Sequence, residues 1–400
     1  MTATSIATGL IARTRAVDRP ADLLTSFAPD GFAWLADGSG FVTSGVAARV
    51  RAGDVDRVLA GIEVDDPVAR AGTGAIAVSA LRFRGAAAGE LVIPASVTGV
   101  DADGQAWRTQ IGSTSASPRT LDATPAPTRF SVEGRVSRAE WTSQVHTILD
   151  AVRAGDLDKA VLAREVVVHA DEPFDARVVV DRLRATQGGC VVFAADGLVG
   201  ATPELLVRRQ GANVMSRPMA GTIPRGATDA GDSAAEAALA ASVKDGHEHR
   251  LVVDAVVDGL RAGGVDVTTV RGPDVARLAT VSHLATTIAG TVEPRSASSA
   301  LELALRLHPT PAVGGAPHDL ALAVLEDLET FDRGRYAGPV GWVDGHGDGE
   351  WAVALRCAEL EGSTARLVAG AGVVAGSDPD AEWAETQAKL EPMLRVLVQP

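Results

Sequence analysis

Lysine is the scarce cation of this chain. Of 37 basic residues only three are lysine, Lys159, Lys244 and Lys389, and the rest are arginine. Arginine stays protonated in proteins, whereas a buried lysine can release its proton and act as a base. Lys159 opens the apolar run KAVLAREVVVHA, where strand alternation puts Lys159, Val161 and Ala163 on one face. The other two lysines sit beside acidic pairs. Asp245 and Glu248 are three residues apart in SVKDGHEHRLVV, and Glu382 and Glu385 have the same spacing in PDAEWAETQAKL. Each pair therefore shares a helix face. Either pair alone reads as a solvated helix surface. Facing each other, the two would make an all-oxygen site of the kind that suits Mg²⁺.

Three further stretches carry chemistry. Glu204, in ATPELLV, opens an apolar strand; if buried, it could serve as a general acid. In WAVALRCAEL, alternation places Arg356 on a face otherwise made of alanines, where it could meet a structural acid or bind a carboxylate bidentately. The glycines of GAGVVAG, residues 370–376, could let backbone amides approach an anion. Their spacing is not the dinucleotide fingerprint. No histidine pair has zinc-helix spacing, and His308 lies in a proline-stiffened loop that reads equally as structure or as a site wall.

The elements that must position these groups are partly legible. DATPAPTRF, 122–130, is a Pro-rich connector and the best boundary. Residues 1–125 read as short strands and turns with no chemical constellation, and 126–400 as the catalytic region. Ser137 and Glu140 have capping-box spacing ahead of a helix that Gly155 ends. GCVVFAADG and LVGATPELLVRR read as a hairpin turning at Asp196-Gly197. One long Ala-rich helix is expected over about 233–262, and a final helix from Ser377-Asp378-Pro379. Hairpins punctuated by helices imply α+β with largely antiparallel sheets.

Composition narrows the class. Hydrophobic residues make up 46% and charged residues 22%, and the net charge is −14 with no basic run. That argues against nucleic-acid and anionic-membrane partners. No apolar run is long enough to span a bilayer. Cys190 and Cys357 form no disulfide framework, so a cytoplasmic setting is expected, and a monomer.

Together, DKAVLAR, GATPELLVR, PMAGTIPRG, KDGHEHRLVV, HLATTIAG, LHPTPAVGGAP, FDRGRYAGPVGW, GEWAVALRCAEL and AGAGVVAGSDPDAEWAETQAKL resemble the chorismate-utilising enzymes, most of all the isochorismate synthases. These stretches run in order from about 155 to 394. The resemblance implies one large α+β domain of antiparallel sheets flanked by helices, with residues 1–125 packed as a layer of the same fold. It implies Mg²⁺ dependence and an isomerase that converts chorismate reversibly to isochorismate, in menaquinone or siderophore biosynthesis. Lys159 matches the lysine that activates water to attack C2, and Glu204 the acid that protonates the departing C4 hydroxyl. Glu248 and Glu385 match direct Mg²⁺ ligands, with Asp245 and Glu382 behind them through water. Arg356, Lys389, Gly370 and Gly372 match groups that hold substrate carboxylates. Gly221, Thr222, His283, Ala312 and Tyr336 match other site-lining positions. The alternative is salicylate synthase, which adds pyruvate elimination; those relatives tend to carry a hydroxyl residue where this chain has Ala312.

Overall fold

The computed structural model describes residues 9–28, 30–112, 126–226, 228–293 and 298–399. The boundary drawn at 125/126 lies at the edge of a stretch outside the described residues. The architecture is α+β, as the sequence implies: one hydrogen-bonded sheet system of 21 strands with eight α-helices among the described residues. Among the described residues every strand pair is antiparallel except Ile11–Val17 with Glu63–Asp65.

The chain before 112 shares sheet hydrogen bonds with the chain after 126. Strand Phe32–Ala36 pairs with Val191–Ala195, and Ile76–Ala80 pairs with Pro339–Asp344. Their apolar faces form a common core in which the Phe41 ring meets Trp342 edge-on at 5.9 Å.

Local chemistry sets the helix ends. Ser137 and Glu140 form the expected capping box, and Gly155 ends that helix at φ 81°, a left-handed turn that glycine adopts without a Cβ clash. Asp378 caps the final helix, Pro379–Val398, by accepting from the amides of Asp380 and Ala381. The single Ala-rich helix expected over 233–262 is two, Asp229–Ala241 and Val243–Ala262. Ser242 between them is extended, and its hydroxyl accepts from the Asp245 amide. The break starts the second helix one turn before Glu248, so its acidic face is aimed independently of the first helix.

The strand Lys159–Ala170 lies against Thr364–Val374 along its length, with Gly372 opposite Val161 and Gly370 opposite Ala163. The final helix is pinned beside this pair. Arg164, buried, donates to Thr386 Oγ1 and Gln387 Oε1, both at 2.7 Å, and its guanidinium lies 4.0 Å from the Trp383 ring centroid. His308 is resolved as structure: its Nε2 lies 2.9 Å from the Phe83 carbonyl, and its ring packs edge-on against Phe83.

Candidate active site

Two strand interruptions shape the site. LVGATPELLVRR is not one strand but two, Leu198–Thr202 and Leu205–Gln210, with Pro203 and Glu204 in the gap. WAVALRCAEL is likewise split into Gly349–Val353 and Cys357–Glu361, so Arg356 is in a break rather than on a strand face. The strand pairs on both sides match, so the gaps lie side by side. They are stitched by Val353 N donating to Glu204 O and Ala201 N donating to Arg356 O, both at 3.2 Å. Arg356 has φ 48°, a left-handed conformation uncommon for a non-glycine residue. The break turns its side chain off the sheet and into a cavity.

That cavity holds about 650 Å³ of empty space, part of it open to solvent. On its wall are Glu204, Gly221, Thr222, Glu248, His283, Ala312, Tyr336, Arg356, Gly370, Gly372 and Lys389. The sequence named all eleven. The other four named residues, Lys159, Asp245, Glu382 and Glu385, are not on the wall but stand behind it. Lys159 is fully buried and meets the cavity through Glu248, its Nζ 2.8 Å from Glu248 Oε1. Sequence reasoning missed the other eight wall residues, Leu355, Val313 and Val368 among them. Unbroken alternation put Leu355 on the face opposite Arg356, and nothing in the run signals the break.

One side of the cavity is arranged to receive an anion. Arg356 Nη2 lies 3.0 Å from His283 Nε2, and His283 Nδ1 lies 3.2 Å from the Gly221 carbonyl. A guanidinium can only donate and a carbonyl can only accept, so His283 is neutral with its proton on Nδ1. Burial, then the charges of Arg356 and Lys389, hold its pKa well below the usual histidine range. Arg356 Nη1 is buried and makes no hydrogen bond among the described residues. A buried, unmet guanidinium donor is costly unless a ligand completes it. Tyr336 is buried beside Gly370, and burial pushes its phenol up to about 12.

Glu204 is 4% exposed. Burial pushes its carboxyl up to about 7, against the opposing pull of Lys159, Lys389 and Arg356. Near neutral pH it can therefore carry a proton to donate.

The deeper side carries the acidic pairs of the two helices, each carboxylate with its own partner. Three of the four are held by the three lysines: Glu248 by Lys159 at 2.8 Å, Glu382 by Lys244 at 2.7 Å, and Glu385 by Lys389 at 2.5 Å. The fourth, Asp245, accepts from the Ser242 hydroxyl. The Lys244–Glu382 contact joins the two helices. Burial raises Glu248, but Lys159, Lys389 and Lys244 outweigh it and leave the carboxyl below its usual range. Glu382 is raised by burial and then by Glu385. Among the described residues, no three His, Cys, Asp or Glu side chains converge as a ready ligand group. The donor chemistry nevertheless fits a hard cation, since it is carboxylate oxygen throughout. Backbone glycines leave the room: a Cβ at Gly221 would lie 3.0 Å from Asp245 Cβ, and one at Gly372 only 2.5 Å from Glu248 Oε1.

Gly372 gives a direct test of that room. A methyl there also falls 2.9 Å from Lys159 Cε, so Gly372→Ala must displace the Lys159–Glu248 pair. A misplacement of about 1 Å can cost about 100-fold in rate. Gly372→Ala is expected to lose roughly 10- to 100-fold in kcat, with a stability loss of about 1–3 kcal/mol from overpacking. Steady-state kinetics and thermal melts check both; an unaltered kcat would show that the pair needs no such placement.

Residues 96–398 match the family described as chorismate binding enzyme. Isochorismate synthase DhbC of Bacillus subtilis is 42% identical over 269 residues, 64% of this chain and 67% of that protein. Isochorismate synthase EntC of Escherichia coli is 42% identical over 245 residues, 60% of this chain and 62% of that one. The solved structure of MenF, the menaquinone-specific isochorismate synthase of Escherichia coli, superposes with a TM-score of 0.83 at 27% identity, covering 100% of this chain and 96% of that one. Anthranilate synthase component I of Streptococcus pneumoniae shares the fold alone, at a TM-score of 0.68 and 20% identity. A match over three quarters of the sequence, spanning every residue of the cavity wall, identifies the chain as a member of the chorismate binding enzyme family.

Proposed function

We propose that this protein is an isochorismate synthase, an isomerase that interconverts chorismate and isochorismate. The observation that carries the reading is the placement in one cavity of buried Glu204, whose carboxyl burial pushes up to about 7, with Arg356, whose Nη1 has no hydrogen-bond partner among the described residues. Chorismate is a dianion and the chain is strongly acidic, so binding needs local cations. Arg356 and Lys389 supply two on the wall. Arg356 Nη1 donates to a substrate carboxylate, while neutral His283 fixes the guanidinium from behind. Tyr336 and Ala312 shape the wall.

In the proposed reaction, water attacks C2 and loses a proton to Lys159, and the C4 hydroxyl leaves as water with a proton from Glu204. One hydroxyl is gained and one is lost, so the step needs no oxidant or reductant. Lys159 can act as the base only when Glu248 is engaged elsewhere. Glu248 and Glu385 would hold Mg²⁺, with Asp245 and Glu382 behind them. When bound, the ion would neutralise a substrate carboxylate and polarise the site. Ala312 puts a methyl where pyruvate-eliminating relatives tend to carry a hydroxyl, which favours a reaction that stops at isochorismate. Residues 1–125 are proposed to act as a layer of the same fold, through the sheet pairings at Phe32–Ala36 and Ile76–Ala80.

The test is incubation with chorismate and Mg²⁺, with products separated by chromatography. A mixture of chorismate and isochorismate is expected near neutral pH, abolished by EDTA and restored by Mg²⁺. Salicylate as the main product, or rescue by Zn²⁺ alone, would overturn the reading.

A further inference from the structure

We propose that Lys244 is a resident counter-cation that competes with the hydrated divalent cation for Glu382, so that cation uptake at this site is an exchange in which a lysine is displaced. The proposal rests on the reading of the four carboxylates as a Mg²⁺ site.

The first observation is distributional. The chain has three lysines among 37 basic residues, and all three end on these carboxylates. Among the described residues every other ion pair uses arginine, apart from His318 with Asp319. Elsewhere the chain holds a buried carboxylate with a guanidinium: Arg333 grips Glu329 through Nε and Nη2. The two cations differ in how they let go. A guanidinium fork binds a carboxylate at two points in fixed geometry, while an ammonium is a single rotatable point charge. A carboxylate that must be handed to another cation is better held by lysine.

The second observation separates Lys244 from the other two. Lys159 is fully buried and Lys389 forms part of the cavity wall, so catalysis and substrate binding already account for their being lysine. Lys244 is not on the wall. Its side chain is 35% exposed, while Glu382 is 3% exposed, so the displaced ammonium can swing into water and the acid cannot follow. Lys244 is also the second residue of its helix, Val243–Ala262, where a positive charge opposes the helix dipole. The helix gains nothing from a lysine there; Glu382 does.

An ammonium near a divalent ion lowers its affinity in two ways, by occupying a carboxylate that would accept from the ion's bound water and by repulsion. At an effective dielectric constant between that of a protein surface and that of water, a unit charge a few ångströms from such an ion changes its binding about tenfold or more. Lys244→Met should therefore bind the cation about tenfold more tightly than the wild type. Its melting temperature without added cation should fall, because Glu382 is left buried and unpaired, and should recover on saturation. Lys244→Arg should bind about tenfold more weakly, because the fork holds Glu382 harder.

The experiment is a titration of the full chain with Mn²⁺, free metal read by electron paramagnetic resonance, without substrate, on the wild type and both variants. Tighter binding by Lys244→Met and weaker binding by Lys244→Arg support the exchange. Unchanged or weaker binding by a folded Lys244→Met would show that Lys244 only props Glu382 in place and would overturn it. Should Lys244→Met fail to fold, Lys244→Arg decides: affinity equal to or above the wild type overturns the proposal. A wild type that binds no Mn²⁺ removes the metal reading itself and this proposal with it. Wild-type binding that neither variant alters removes only the exchange.

Discussion

Turnover of Lys159→Arg is expected to fall by about 100- to 10,000-fold, the range that general-base catalysis contributes. The reason is chemical. Lys159 is fully buried against Glu248 and carries the proposed base. Arginine can replace its charge but cannot be deprotonated near neutral pH. Full burial adds a complication that sequence alone hides. A longer side chain at a fully enclosed position overpacks it, at a cost of about 1–3 kcal/mol. Lys159→Met is therefore the necessary companion, since it keeps the length of the stem and removes the charge. A role in charge balance would be rescued by arginine, and a role in packing by methionine. A role as base is rescued by neither. Turnover, melting temperature and chorismate affinity should be read on one preparation of each variant. Loss of turnover in both, with chorismate still bound, is the expected pattern. Near-normal turnover in either variant would send the search for the base elsewhere.

What the sequence conveyed of this site, and what it concealed, divides along local and non-local physics. The ends of the helices were readable because their chemistry is contained in a few adjacent residues: Ser137 with Glu140, Gly155, and Asp378 before Pro379. The three-residue spacings of the carboxylates were readable for the same reason. That Lys244 on one helix reaches Glu382 on the other depends on how two helices more than 100 residues apart pack, and no spacing reports it. The interruptions at Glu204 and Arg356 were hidden differently. Apolar alternation runs straight through Arg356, so WAVALRCAEL reads as a continuous strand, and at Glu204 only Pro203 marks the gap. Arg356 reaches φ 48° without the glycine that would announce it. Ser242 misled in the opposite sense, because an alanine-rich stretch masks a serine whose own hydroxyl starts a new helix. The family resemblance supplied eleven residues of the cavity wall. It did not supply the pairing of each lysine with a carboxylate, which is visible only in the assembled site.

Glu204→Gln should make the protein nearly inactive and, above neutral pH, more stable. Both effects follow from one carboxyl group. Burial moves Glu204 from its usual 4.5 up to about 7, so the folded state binds its proton more tightly than the unfolded chain does. Below about pH 4.5 the group is protonated in both states and costs nothing. As pH rises from there, the unfolded chain gives up the proton first, and the native state is penalised progressively until about pH 7. By then the penalty is on the order of 3 kcal/mol. Glutamine is neutral at every pH and nearly the same shape, so it escapes the penalty. The difference in unfolding free energy between Glu204→Gln and the wild type should thus be small near pH 4, grow through pH 7, and level off above it. The same proton is the one the mechanism donates to the departing hydroxyl, so wild-type turnover should decline as pH rises through about 7. Glu204→Gln should lose about 100- to 10,000-fold at any pH. Denaturant titrations and pH–rate profiles on the two proteins read these effects separately. A stability difference that does not grow with pH would mean that burial does not hold this proton. A rate indifferent to pH across neutrality, with the variant still active, would place the acid at another residue of the wall.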